Sequence, residues 1–146
     1  VARMVDVSRK KDVKRTAIAT GKIFLSKKSI DAIRTGRVKK GDVFEASQLA
    51  GIQAAKETSK LLPFCHQIPL TAIDVELENS EDCVIVRSSV TANYKTGVEM
   101  EALVATTAAL LNVWDMVKYL EKDKNGQYPQ TMISEIRVVS KKKGGG

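Results

Sequence analysis

Residues 71–94 alternate so regularly that they admit essentially one structure. In "TAIDVELE", Ile73, Val75 and Leu77 alternate with Asp74, Glu76 and Glu78, the pattern of a strand with one face on a core and one in water. "NSED" reads as the turn and "CVIVRSSVTANY" as the returning strand. An antiparallel hairpin therefore sits mid-chain, and its neighbours in sequence must supply the layer that covers its apolar face.

Those neighbours read as one strand and two helices before the hairpin, and one helix and one strand after it. "TAIATGKIFL", Thr16 to Leu25, mixes β-branched and apolar residues as a strand does. Ser26 then caps a short helix that Gly36 can end. A second helix is expected from Asp42 to about Lys60, where Val43, Ala46, Leu49, Ala50, Gln53 and Ala54 recur at helical spacing and Pro63 forbids continuation. The small residues on its face predict close packing. After the hairpin comes the longest helix, within 95–123, with Val98, Ala102, Thr106, Leu110, Val113, Val117 and Leu120 as its buried stripe, and "TMISEIRVVS" reads as a last strand. The order predicts an α+β fold: a ferredoxin-like βαββαβ sandwich, with helices on one face of an antiparallel sheet. A chain of 146 residues suits one domain over 1–146, with a flexible basic tail from about residue 141.

Composition excludes several classes of function. No apolar run reaches the roughly 18 residues of a membrane span and no signal peptide opens the chain, so the expectation is a cytoplasmic protein without a membrane partner. Cys65 and Cys83 make no disulfide framework, and one His with two Cys cannot fill a zinc site, so no protein-held metal is expected. Neither GxGxxG nor GxxxxGK[ST] occurs. The net charge of +7, concentrated in "SRKKDVKR" and "KKKGGG", points to an anionic partner: nucleic acid or a phosphate-rich small molecule. A small basic RNA-binding module is the alternative reading. Aromatics make up only 5% of residues and no RNP-like aromatic pair lies on the strands, which weakens it.

Three segments carry candidate chemistry. "KLLPFCHQIPL" sets the only histidine, His66, beside Cys65 between prolines that bar helix and central strand. Lys40 stands before Gly41 and Asp42 at a helix entrance, where the macrodipole gives a cation no benefit; taken alone it reads first as a solvated surface lysine, with phosphate binding or proton transfer as the functional reading. In the long helix, Glu99 and Glu101 suit the dipole of the first turns, while Asp115 lies in the apolar stretch "LLNVWDMV", one turn from Lys118. Partial burial of Asp115 is expected, which would raise its pKa and make it a candidate acid or base. At about 1.5 Å per residue, Glu101 and Asp115 are about 21 Å apart along one helix, too far to touch one small reacting centre. Either a long substrate spans them or two copies build each site, with the small residues of "ALVATTAAL" allowing their helices to approach closely.

"KGDVF", "AGIQAAK", "LPFCHQIPL", "KTGVEMEAL" and "WDMVK" stand in this order with the spacing of one family. The chain closely resembles molybdenum cofactor biosynthesis protein C, the cyclic pyranopterin monophosphate synthases, from "MVDVS" through the last strand. The resemblance implies a ferredoxin-like fold in a homo-hexamer, a trimer of dimers with sites at the dimer interface. It also implies the conversion of 3′,8-cyclo-7,8-dihydroguanosine 5′-triphosphate to cyclic pyranopterin monophosphate with release of pyrophosphate. The partner is then a small nucleotide-derived substrate rather than nucleic acid. No cofactor is required on this reading, and any Mg2+ would come with the triphosphate. Carried over by motif, the catalytic positions are Lys40, Asp115 and Lys118. The substrate-binding positions are Phe64, Cys65, His66, Met100 and Glu101, with Lys56, Glu99, Lys10, Arg15 and Lys141 as further pocket residues. Arg15, Lys10 and Lys56 would hold phosphates, and Glu101 the donors of the guanine-derived ring. The chain departs from the family's Cys-His-Pro at Gln67, while the second proline survives at Pro69.

Overall fold

The computed structural model describes residues 1–144. Strand alternation organises it. In β1 (Val13–Phe24), Arg15, Ala17, Ala19, Gly21 and Ile23 are buried while the residues between them are not, so one face of the strand meets the helices. β2 (Leu70–Asn79) and β3 (Cys83–Tyr94) form the expected hairpin, and β4 (Met132–Lys143) adds along the other side of β1. All pairings are antiparallel and the strand order is β2-β3-β1-β4. With α1 (Lys27–Arg34), α2 (Val43–Lys56), the single turn α3 (Thr58–Leu61) and α4 (Glu99–Glu121), this is the α+β ferredoxin-like arrangement that the sequence pattern predicts.

Glycine and alanine set how closely the layers approach. A Cβ at Gly51 of α2 would lie 3.0 Å from the Ala105 carbonyl oxygen of α4, and one at Gly21 of β1 would lie 2.8 Å from Leu110 Cδ1. Thus α2 rests on α4 and α4 rests on β1 at points where no side chain fits. Ile23, Val84, Val86, Leu110, Val113 and Val117 fill the space between, each fully buried and each worth about 1.5–3 kcal/mol of transfer free energy. The small residues of "ALVATTAAL" are used here: Ala102, Ala105, Thr106 and Ala109 face their own sheet and α2. These four are taken up by packing within the chain, whereas Val104, Thr107 and Ala108 of the same stretch are only half-buried and the exposed Leu111 follows it.

Far from the chain's centre, a buried carboxylate closes the structure. Glu121, the last residue of α4, accepts hydrogen bonds from the Ser26 amide (3.0 Å), the Ser26 hydroxyl (2.6 Å), the Thr131 hydroxyl (2.7 Å) and the Ser29 hydroxyl. Ser26 is also the cap of α1, its side chain accepting from the Ser29 amide. One side chain therefore joins the end of β1, the start of α1, the end of α4 and the segment leading into β4.

Two boundaries differ from the sequence reading. The second helix stops at Lys56 rather than near Lys60, because the buried Thr58 hydroxyl donates to the carbonyls of Ala55 (2.9 Å) and Ala54 (3.3 Å) and competes with the helical ladder. The basic tail expected from residue 141 is strand as far as Lys143, with Lys141, Lys142 and Lys143 opposite Ala17, Thr16 and Arg15; Gly145 and Gly146 lie outside the described residues. α4 is long and apolar enough to cross a membrane by length and hydropathy, yet half of that stretch is buried inside the protein, as a core helix is.

Candidate functional site

The ends of α4 carry two separate polar clusters. Towards its C-terminal end, Asp115 joins two lysines from opposite parts of the sequence. Lys40 Nζ donates to Asp115 Oδ2 at 2.8 Å and lies 3.3 Å from the Asp115 carbonyl, while Lys118 Nζ stands 3.2 Å from Oδ1. The short capped start of α2 fixes the approach of Lys40: Asp42 accepts the Glu45 amide at 3.0 Å, and Gly41 turns the chain at φ 117°. The burial expected of Asp115 is not found. Its side chain is 52% exposed because residue 115 falls on the outer side of α4, between the buried Val113 and Met116. Its pKa is lowered rather than raised, first by the hydrogen bond from Lys40 and then by that from Lys118. Asp115 is thus an ionised acceptor shared by two ammonium groups, and no reserve of protons.

The second cluster surrounds the start of α4. Glu101 is 3% exposed; burial, with the neighbouring Glu99 charge, pushes its pKa up. Its Oε2 faces the Cys65 thiol at 3.9 Å, and its Oε1 is buried without a hydrogen-bond partner. Glu99 repeats the pattern in part: Oε2 pairs with Lys141 Nζ at 3.3 Å and Oε1 is buried and unpaired. The strand position of Lys141 brings it here. Gly97 makes the room, since a Cβ at that position would sit 1.8 Å from Glu99 Oε1.

Cys65 and His66 form the wall of this cluster, between Pro63 and Pro69 and at the turn closed by the Cys65 amide on the Leu62 carbonyl (3.0 Å). Burial raises the Cys65 pKa, and the Glu101 charge adds to it, so the thiolate is disfavoured and a nucleophilic role is not supported. His66 and the thiol have different partners. His66 Nε2 donates to the Val5 carbonyl at 2.6 Å, which fixes that nitrogen as the protonated one because a carbonyl can only accept.

The remaining predicted residues divide. Phe64 (49%) and Met100 (41%) are exposed beside the cluster, as solvent-facing apolar groups a ligand could cover. Lys56 is exposed at the end of α2 and Lys10 in the turn before β1. Arg15 is not an open phosphate hook: it is 6% exposed, with Nε and Nη2 donating to the Tyr94 (3.0 Å) and Lys95 (3.1 Å) carbonyls, where it ties β1 to the segment entering α4. A half-open cleft of about 680 Å3 beside the Lys40 loop, lined by Ile33, Val38, Phe44 and Asn79 among others, holds none of these residues. We place the candidate site at the polar clusters rather than there, because the unpaired buried carboxylates lie at the former.

Sequence reading missed two participants. Val5 contributes a main-chain oxygen, which no residue pattern reveals. Tyr119 accepts the Lys39 amide at 2.9 Å and so touches the Lys40 loop; the available signal was an exposed aromatic one turn after Asp115.

Fold and site together define an α+β sandwich enzyme type in which lysines and carboxylates, with no group of three or more His, Cys, Asp or Glu able to hold a metal among the described residues, carry the polar chemistry. The MoaC family model matches residues 4–145, and the chain belongs to that family. It is 53% identical over 139 residues to a protein of Pyrococcus furiosus, covering 95% of this chain and 89% of the relative. A relative from Sulfurisphaera tokodaii is 54% identical over 140 residues (96% and 93% covered), and one from Sulfolobus acidocaldarius 56% over 138 residues (94% and 96%). Each relative bears the name "Probable cyclic pyranopterin monophosphate synthase".

Proposed function

We propose that this chain is a cyclic pyranopterin monophosphate synthase of molybdenum cofactor biosynthesis. It converts 3′,8-cyclo-7,8-dihydroguanosine 5′-triphosphate to cyclic pyranopterin monophosphate and pyrophosphate. The observation that carries the reading is the Lys40–Asp115–Lys118 triplet. Its three side chains are 48%, 52% and 43% exposed, and surface ion pairs of this kind add little stability. Two ammonium groups are nonetheless held a hydrogen bond apart from one carboxylate, ready to exchange it for a more highly charged anion. The reading as an RNA-binding module finds no support among the relatives.

The chemistry divides between the two clusters. Closing the cyclic phosphate requires a ribose-derived hydroxyl to attack the α-phosphorus while pyrophosphate leaves, and rearranging the purine ring requires protons to move among nitrogen and carbon centres. Lys40 and Lys118 neutralise the departing charge or carry those protons, with Asp115 orienting both. Glu101, buried with a free Oε1, receives the N–H donors of the guanine-derived ring; Phe64 and Met100 cover its face, and Lys10 and Lys56 meet phosphates at the rim. Mg2+, when present, enters on the triphosphate.

About 21 Å of helix separates Glu101 from Asp115 within one chain. We therefore place the complete site between two copies, the lysine triplet of one facing the Glu101 cluster of the other, within a hexamer built as a trimer of dimers. The exposed apolar residues Met100, Leu111, Ile136 and Val138 of α4 and β4 support such a contact. Pyrophosphate and pterin release from the cyclic triphosphate tests both parts. Lys40→Ala and Glu101→Gln should each lower kcat by about 100-fold or more. Mixing the two inactive proteins through unfolding and reassembly should restore activity, because each mixed pair contains one intact site. Wild-type turnover by Lys40→Ala would overturn the catalytic assignment, and mixtures as inactive as their parents would overturn the shared site.

A further inference from the structure

The segment that carries Lys40 is weakly fixed by its own backbone. It runs between two glycines in the left-handed region, Gly36 (φ 70°) and Gly41 (φ 117°), and Val38 is its only buried residue between positions 35 and 42. The Arg37 amide bonds back to Ala32 (2.9 Å) and the Gly41 amide to Val38 (3.1 Å), contacts that lie within the segment or on the α1 side. Towards α4, the side chain of Lys40 reaches only the acceptors of Asp115. If Lys40 is to meet a phosphate or pass a proton, its ammonium must leave Asp115, and that anchor then disappears at the moment the loop has to stay in place.

Tyr119 supplies an anchor that does not involve the Lys40 side chain. Its Oη accepts the Lys39 amide hydrogen at 2.9 Å, and Lys39 Nζ stands 5.1 Å above the centre of its ring. Tyr119 follows Lys118 directly and lies one helical turn beyond Asp115, so both lysines of the triplet are referred to the same stretch of α4. Stability is a poor explanation for the contact. Tyr119 is 36% exposed, and neither an exposed loop hydrogen bond nor a surface cation–π pair contributes much to folding.

We infer that Tyr119 is a positioning residue for Lys40: it holds the Lys39–Lys40 backbone to α4 while the Lys40 ammonium exchanges Asp115 for substrate. The inference rests on the proposed role of Lys40. It assigns the Lys39 side chain, too, a task on the ring rather than on the substrate.

The test compares Tyr119→Phe, which keeps the ring under Lys39 but loses the acceptor, with Tyr119→Ala, which loses both, in the assembled protein. At saturating cyclic triphosphate, Tyr119→Phe should lower kcat by about tenfold and Tyr119→Ala further, with KM changed by less than about twofold, as misplacing one catalytic group predicts. Hydrogen–deuterium exchange of the peptide spanning 35–43 should quicken in both variants, while the melting temperature stays within about 2 °C of wild type. Unchanged kcat, unchanged exchange in 35–43, or a kcat loss that tracks the melting temperature would each overturn the inference. Lys40→Ala run alongside separates the two failures. Wild-type turnover by that variant removes the role of Lys40, whereas an inactive Lys40→Ala beside a fully active Tyr119→Phe removes only the anchor.

Discussion

Glu101 and Glu121 are the same residue type on the same helix, 3% and 7% exposed, and they are opposites. Glu121 accepts from two backbone-anchored serines, one threonine and an amide. Burial alone would raise its pKa, but the hydrogen bonds from Ser26, Ser29 and Thr131 outweigh it and hold the carboxyl below its ordinary value. Glu101 has one thiol at 3.9 Å and one oxygen with no partner, so burial wins and its pKa rises. A buried acid that is fully satisfied is part of the architecture. One that is left short is destabilising in the free protein and makes sense where a ligand completes it.

The sharpest way to break this contrast is Glu101→Gln, which should cost at least about 100-fold in kcat/KM for the cyclic triphosphate while leaving the melting temperature equal to wild type or higher, since a buried charge is removed. Loss of stability with retained activity would reverse the assignment. Glu121→Ala should do the converse. Stranding the hydroxyls of Ser26, Ser29 and Thr131 should lower stability by about 2–4 kcal/mol in chemical denaturation, with activity per folded molecule preserved.

The smallest expected effect is in the pH dependence, where the two acids carry opposite signs. The folded pKa of Glu121 lies below its unfolded value of 4.5, so its contribution is complete above that pH and is lost as the pH falls through the folded value. The folded pKa of Glu101 lies above 4.5, so the protein loses stability as the pH rises from 4.5 to that value. Urea midpoints measured from pH 3.5 to 7 should therefore lose their acid-side fall in Glu121→Gln and their rise towards mild acidity in Glu101→Gln. A wild-type profile in either variant would show that the corresponding carboxyl does not titrate as its surroundings require.

How far the sequence discloses such a contrast depends on what periodicity can see. The strands and α4 follow from alternation and helical spacing, because burial on one face repeats every second or every three to four residues. Glu101 reads from its position as an ordinary acid of a helix's first turns and nothing in the sequence singles out Glu121, since the partners that distinguish them come from residues 26, 29, 65 and 131, far away in sequence. Asp115 fails for a related reason: apolar neighbours in sequence imply burial, but at 100° per residue they lie on another side of the helix. The triplet itself was recoverable only residue by residue, as motif positions, and its geometry needed the fold to bring Lys40 across to α4. Arg15, a basic residue near a pocket, is absorbed by carbonyls that no charge count could anticipate.

The hydrogen bond from His66 reaches Val5 through a main-chain oxygen, an atom that every amino acid supplies. Drift in the identity of residue 5 leaves that acceptor intact, whereas shortening the chain past it removes the acceptor outright. The wall beside Glu101 is thus indifferent to spelling at its outer rim and dependent on length, a constraint invisible to substitution scanning and relevant wherever a tag or fusion joint is placed ahead of β1.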